Sequence, residues 1–198
     1  MKLTTKIGFL ILIITTGCDI QINKNININD NSSINSDLIA VNGDIHIGND
    51  CEIQGDINTV NGNIYIDKNC NVKGNVLSLT GLIIINDSTE ISGNVSGLSG
   101  QIKTRGVKIT GDVVKNYGNI SAFNTRVEGS IVIEENADIP EKLRKVKVSL
   151  GKNSIISGNL QNNNRQVLAL VYIEPGSVVN GEMIDFDISE SLEDFQNE

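Results

Sequence analysis

The chain reads as an all-β, single-stranded parallel β-solenoid of about eight windings, because two independent ladders of residues and one recurring unit share a single period. Val41-Asn42-Gly43, Val60-Asn61-Gly62, Leu79-Thr80-Gly81 and Leu98-Ser99-Gly100 follow one another at 19-residue intervals. A second ladder, Gly55, Gly74, Gly93, Gly111 and Gly129, advances in steps of 19, 19, 18 and 18. The unit Ile-Gly-Asn-Asp-Cys-Glu-Ile-Gln-Gly-Asp-Ile from Ile47 to Ile57 recurs from Ile66 to Val76 and from Ile85 to Val95. Shorter copies end at Val113 and Ile131, full ones return at Leu150–Leu160 and Ile173–Met183, and a degenerate copy runs from Ile28 to Leu38.

Within a unit, Ile45, Ile47, Cys51, Ile53, Gly55 and Ile57 are separated by even numbers of residues. Side chains along a β path alternate with period two, so all six point to one side, the interior. The same phase returns each winding, which places Ile53 beneath Val72 and Val72 beneath Ile91 in parallel strands about 4.8 Å apart. The recurrent glycines mark corners, where the chain needs either φ > 0 or close packing. Asn-Gly at 42–43 and 61–62 is a hairpin signal in isolation, but its fixed phase assigns it to a corner. Recurrent Asn75 and Asn94 suggest side-chain amide ladders along the coil.

The solenoid is expected over residues 28–183, with an insertion at 134–148 carrying Pro140 and the charged run Glu141-Lys142-Leu143-Arg144-Lys145. Asn162-Asn163-Asn164 opens a smaller expansion. Residues 184–198 contain Asp185, Asp187, Glu190, Glu193, Asp194 and Glu198 without Lys or Arg, and are expected to form a charged cap or a disordered end.

The first 17 residues have the layout of a secretory signal: Lys2 and Lys6, the apolar run Ile7–Ile14, then Thr15, Thr16 and Gly17 before Cys18. The run is too short to cross a hydrocarbon core of about 30 Å, which takes about 20 helical residues. Gly17-Cys18 resembles the lipobox of bacterial lipoproteins, although Thr15 stands where Leu is commoner. That resemblance implies cleavage before Cys18, diacylation of its thiol and a short linker over 18–27. The protein would then be exported and held to a membrane of the bacterial cell envelope by lipid on Cys18. Asp19 resembles an inner-membrane retention signal, and the choice between inner and outer membrane stays open.

With 24 acidic against 16 basic residues the formal charge is −8, which argues against nucleic acid or an anionic membrane surface as a direct partner, because both need basic patches. One His and three Cys give no His-rich metal site, and no cofactor, phosphate-loop or nucleophile-elbow motif is present. His46 lies between two inward Ile residues and so faces outward. The spacing of aliphatic, small and Gly residues resembles the hexapeptide acyltransferases, which use a His between windings, but His46 has no second His. Asp44, Asp56 and Asp112 are scattered corner residues rather than a catalytic cluster, so no catalytic residue is assigned. Cys51 and Cys70, 19 residues apart, stack one above the other. Their expected Cα separation suits a disulfide while their parallel Cβ vectors do not, and Ser32, Thr89, Ser154 and Ser177 at equivalent positions show that the column accepts any small side chain.

The pattern aliphatic, four variable, small, aliphatic, x, Gly, polar, aliphatic over residues 28–183, and Ile173–Met183 in particular, resembles the bactofilin or polymer-forming cytoskeletal proteins. That resemblance implies a right-handed β-helix able to associate end to end without nucleotide. Typical members are cytoplasmic and lack a lipobox. Taken together, the resemblances lead to the expectation of a non-enzymatic, membrane-anchored envelope lipoprotein with a scaffold or self-associating role. The alternative is a binding module that presents a flat polar face to an envelope protein or glycan.

Overall fold

The computed structural model describes residues 18–135 and 145–191, and it is a parallel β-solenoid. Among these residues, short strands form three parallel sheets of nine, nine and eight strands, each sheet taking one strand per winding. We call their outer surfaces faces I, II and III, beginning with the strands Cys18–Gln21, Ile26–Ile28 and Ser33–Ile34 respectively. The register is the repeat: Ile34 pairs with Ile53, Ile53 with Val72, and Val72 with Ile91.

The core is a set of aliphatic columns. Leu38, Ile57, Val76 and Val95 line one wall, Ile45, Ile64, Ile83 and Ile102 the second, and Ile53, Val72, Ile91 and Ile109 the third, all buried. Ile, Val and Leu suit this interior because β-branched side chains pack well on pleated strands and like stacks on like in each column. Aromatic anchors are unnecessary in so narrow a coil.

Each corner has its own chemistry. Between faces I and II, Gly43, Gly62, Gly81, Gly100 and Gly118 stack, and a Cβ on any of the last four would overlap the carbonyl of the glycine one winding earlier. Between faces II and III the turn is made by Asn31, Asp50, Asn69, Ser88, Asn124 and Asn153 at φ between 48° and 61°, the left-handed region that Asn and Asp tolerate best. Between faces III and I, a column of side-chain oxygens each accepts the backbone N–H of the next winding. Asp37 Oδ1 accepts from Asp56, Asp56 from Asn75, Asn75 from Asn94, Asn94 from Asp112 and Asp112 from Ser130, at 2.7–2.9 Å. Gly55, Gly74, Gly93, Gly111 and Gly129 precede these residues, with the oxygen of the previous winding lying where their Cβ would be. Their φ is not positive, so this ladder is glycine for close approach.

Asn75 and Asn94 therefore accept backbone N–H groups, Asn75 Nδ2 also donates to Asp56 Oδ1 at 3.1 Å, and the amide-to-amide ladder is found elsewhere. Asn61 Nδ2 donates to Asn42 Oδ1 at 2.9 Å and Asn42 Nδ2 to Asn23 Oδ1 at 2.7 Å. Paired strands extend past both ends of the 28–183 span, from Cys18, which pairs with Asp37, to Ile188, which pairs with Val171. Backbone pairing in register does not require the repeat motif to be complete, so windings with weak motifs still join. Within the 134–148 insertion, the strand Lys145–Gly151 pairs with Ile120–Phe123 and Leu168–Ile173, while residues 136–144 lie outside the described part. The same holds for residues 1–17 and 192–198.

Gly100 tests the corner geometry. It combines φ of +79° with the carbonyl overlap, whereas Gly176, at +94°, would place an added Cβ no nearer than 3.3 Å to Asn153 Oδ1. In urea unfolding, Gly100→Ala should cost about 1–3 kcal/mol and clearly more than Gly176→Ala. Equal losses would show that the stacked carbonyl does not matter.

Candidate functional surfaces

Cys18 opens the first strand of face I. Cys51 and Cys70 lie one winding apart in the column at the corner between faces II and III, both buried and both free thiols. Each thiol donates to a backbone carbonyl of the preceding winding, Cys51 Sγ to Asn29 O at 3.2 Å and Cys70 Sγ to Gly48 O at 3.1 Å. Thr89 Oγ1 does the same to Asp67 O at 2.8 Å, as do Ser154 to Ala122 O at 3.0 Å and Ser177 to Gly151 O at 2.7 Å. The column thus holds a small donor that caps a corner carbonyl, and Cys serves as a weaker hydroxyl. Burial pushes the Cys70 thiol up to about 11, which keeps it protonated and poorly nucleophilic at neutral pH.

His46 stacks on Tyr65 of the next winding, with ring centroids 4.5 Å apart and planes 21° from parallel. The two residues occupy one outward column of face II, in register between Asn27 and Ile84. On the same face, two windings beyond Tyr65, the Arg105 guanidinium lies 5.2 Å from the centre of the Phe123 ring. Asp44 Oδ1 accepts the Asn63 N–H at 2.7 Å, and Asp56 and Asp112 belong to the corner column above. Their carboxylates hold windings together, and the structure does not bring the three to one place. Among the described residues no group of three or more His, Cys, Asp or Glu is arranged as metal ligands.

Two features were not anticipated. The first is Lys115, fully buried inside the coil on the wall behind face I. It occupies an inward column with Thr59, Ser78 and Gly97, and Gly97 pairs with it directly. Thr59 and Ser78 turn their hydroxyls to the carbonyls of Gly43 and Gly62, at 3.0 and 2.9 Å. Lys115 Nζ reaches the same corner two windings beyond Ser78 and donates to Ser99 O at 2.7 Å. Gly97 makes the room, since a Cβ there would lie 2.8 Å from Nζ. The signal was in the sequence: Lys115 stands two residues after inward Val113, beside the one glycine of that column. Burial lowers its pKa from 10.5 to about 7, and among the described residues no carboxylate pairs with it. The second feature is the outer surface of face I, which is apolar over its first windings.

No protein-family model matches the chain, and the searches of curated proteins and of solved structures likewise found no match. The solenoid fold rests on the sheet topology and register alone.

Lys115 makes stability depend on pH in a defined direction. Below about pH 7 both the folded and the unfolded chain carry the proton, and the cost of burying the charge is fully present. Between about 7 and 10.5 the unfolded chain holds more protons, so stability rises with pH. The excess melting temperature of Lys115→Met over the parent should therefore be largest near about pH 6 and shrink by about pH 10. A gap independent of pH would mean that the folded and unfolded chains titrate alike at Lys115, as a solvated amine would.

Proposed function

We propose that this protein is a lipid-anchored, non-enzymatic scaffold of the bacterial cell envelope whose solenoids associate end to end. The observation that carries the self-association is the pair of open ends among the described residues. At one end the strands Cys18–Gln21, Ile26–Ile28 and Ser33–Ile34 pair on one side only, and at the other Val178–Val179, Met183–Ile184 and Asp187–Ile188 do the same. Unpaired parallel edges are templates for a further winding. The second end also exposes Val178, Met183 and Ile188, apolar side chains that a stacked copy would cover.

The anchor is supported by the sequence before Cys18 and by the place of Cys18 at the start of Cys18–Gln21, the terminal strand of its sheet among the described residues. Such a placement leaves the far end free to recruit the next copy. Asp185, Asp187 and Glu190 near that end would weaken association at low ionic strength and make it salt-dependent.

The test is light scattering coupled to size-exclusion chromatography on the chain from Asp19, with negative-stain microscopy. Rods or large assemblies are expected, reduced at least severalfold in population by Val179→Asp, with the β-sheet circular dichroism of the parent retained. A parent chain that stays monomeric at micromolar concentration would contradict self-association.

A further inference from the structure

The outward positions of face I form two columns. The first runs Ile20, Ile39, Asn58, Leu77, Ser96, Val114 and Val132 in direct register. Two residues along each strand path the second runs Ile22, Val41, Val60, Leu79 and Leu98. Ile20 and Ile22 are 53% and 50% exposed, and Val60 and Leu79 37% each, values out of keeping with a core role. Over the first five windings these columns contain no charged side chain. Asp37, Asp56 and Asp112 lie at the rim, where their carboxylates accept backbone N–H groups.

The other faces differ. Glu52, Glu90, Lys108, Arg126 and Glu128 project from face III, and Lys103 and Arg105 from face II. Face I is also graded along the coil. Its second column becomes polar toward the far end, with Asn116, Glu134 and Asn163 replacing the aliphatic residues, while the first keeps Val114, Val132 and Ile184 around Gln161. Its most apolar and most exposed part is therefore the winding that begins at Cys18, and Ile20 follows Cys18 by two residues in the same strand.

We propose that the first half of face I lies against the lipid bilayer, so that the solenoid rests on the membrane along this face and turns faces II and III to the aqueous side. The inference rests on the lipid-anchor reading of Cys18, which puts hydrocarbon at the edge of this face. From the second winding on, backbone groups of the sheet bond to a winding on either side, so unpaired amides on this face are confined to the outer edge of Cys18–Gln21. A second copy fits less well. Five windings at about 4.8 Å by four residues at about 3.3 Å give an area of roughly 300 Å², against about 800 Å² per partner in a stable interface. So small a patch can orient a molecule that is already tethered.

Spin labels decide the matter. The full chain would be processed in its bacterial host, with Cys51→Ser and Cys70→Ser to leave a single labelling site, then reconstituted in phosphatidylcholine vesicles. Nitroxides at Leu79→Cys, Glu90→Cys and Lys103→Cys report one face each. At position 79, collisions with oxygen should exceed those with a water-soluble nickel complex severalfold, and the order should reverse at 90 and 103. A label at 79 as accessible to nickel as the one at 90 would overturn the proposal. So would spin–spin broadening at 79 without a gain in oxygen collisions, which would place a second copy on the face. Mass spectrometry of the Cys18 peptide tests the anchor separately. Acylated Cys18 with an aqueous label at 79 refutes the face contact alone. Unmodified Cys18 refutes the anchor, and the label at 79, read after mixing with vesicles in a chain that also carries Cys18→Ser, then keeps or overturns the face contact independently.

Discussion

Everything in this molecule follows from the requirement that each winding place its backbone donors and acceptors opposite those of its neighbours. The chain meets that requirement with in-register parallel ladders on three walls, and with further bonds around the corners, such as Leu38 N to Asp56 O at 2.8 Å and Gly62 N to Thr80 O at 3.1 Å. Register between windings is then not adjustable. A slip of one residue would turn every inward Ile outward. The corners inherit the constraint: a side-chain oxygen that accepts from the winding above needs a glycine there to admit it, which is why Gly-Asp and Gly-Asn pairs recur at one corner.

The same constraint explains where irregularity is allowed. The steps shorten to 18 residues between Gly93 and Gly129, yet the pairs Val95–Val113 and Val113–Ile131 keep their register. The residue is lost from a corner, where the path can shorten without disturbing the walls. Lys115 sits in this stretch, and it replaces a hydroxyl cap by a longer arm that threads the space left by Gly97. Across the insertion after Ile133 the next described strand, Lys145–Gly151, pairs in register with Ile120–Phe123, so the walls stay stacked on either side of the extra residues. A one-dimensional array tolerates such departures because each winding contacts only its neighbours.

The walls were legible in the sequence and the corners less so. Period-two spacing at Ile45, Ile47, Ile53 and Ile57, repeated every 19 residues, specifies both the inward face and the partner above. Glycine alone does not say whether it supplies φ > 0 or close approach, and the structure uses one glycine ladder mainly for the second. The left-handed turns went unread because Asn31, Asp50 and Asn69 look like generic polar loop residues until their common phase is considered. Lys115 was missed because its charge suggested an outward position, although its parity is inward. The apolar surface of face I was hidden for a different reason. In runs such as Leu38-Ile39-Ala40-Val41 both parities are aliphatic, so alternation cannot separate core from exposed surface.

If in-register stacking is the organising constraint, whole windings should be removable and fractions of them should not. Deleting residues 57–75, one period, joins Asp56 to Val76 in the place of Asn75 and preserves every column. Thermal unfolding followed by circular dichroism should show a cooperative transition and a parallel-sheet spectrum in this shortened chain. Deleting 57–66 alone should abolish both. Equal disruption by the two deletions, or equal tolerance of them, would contradict the account.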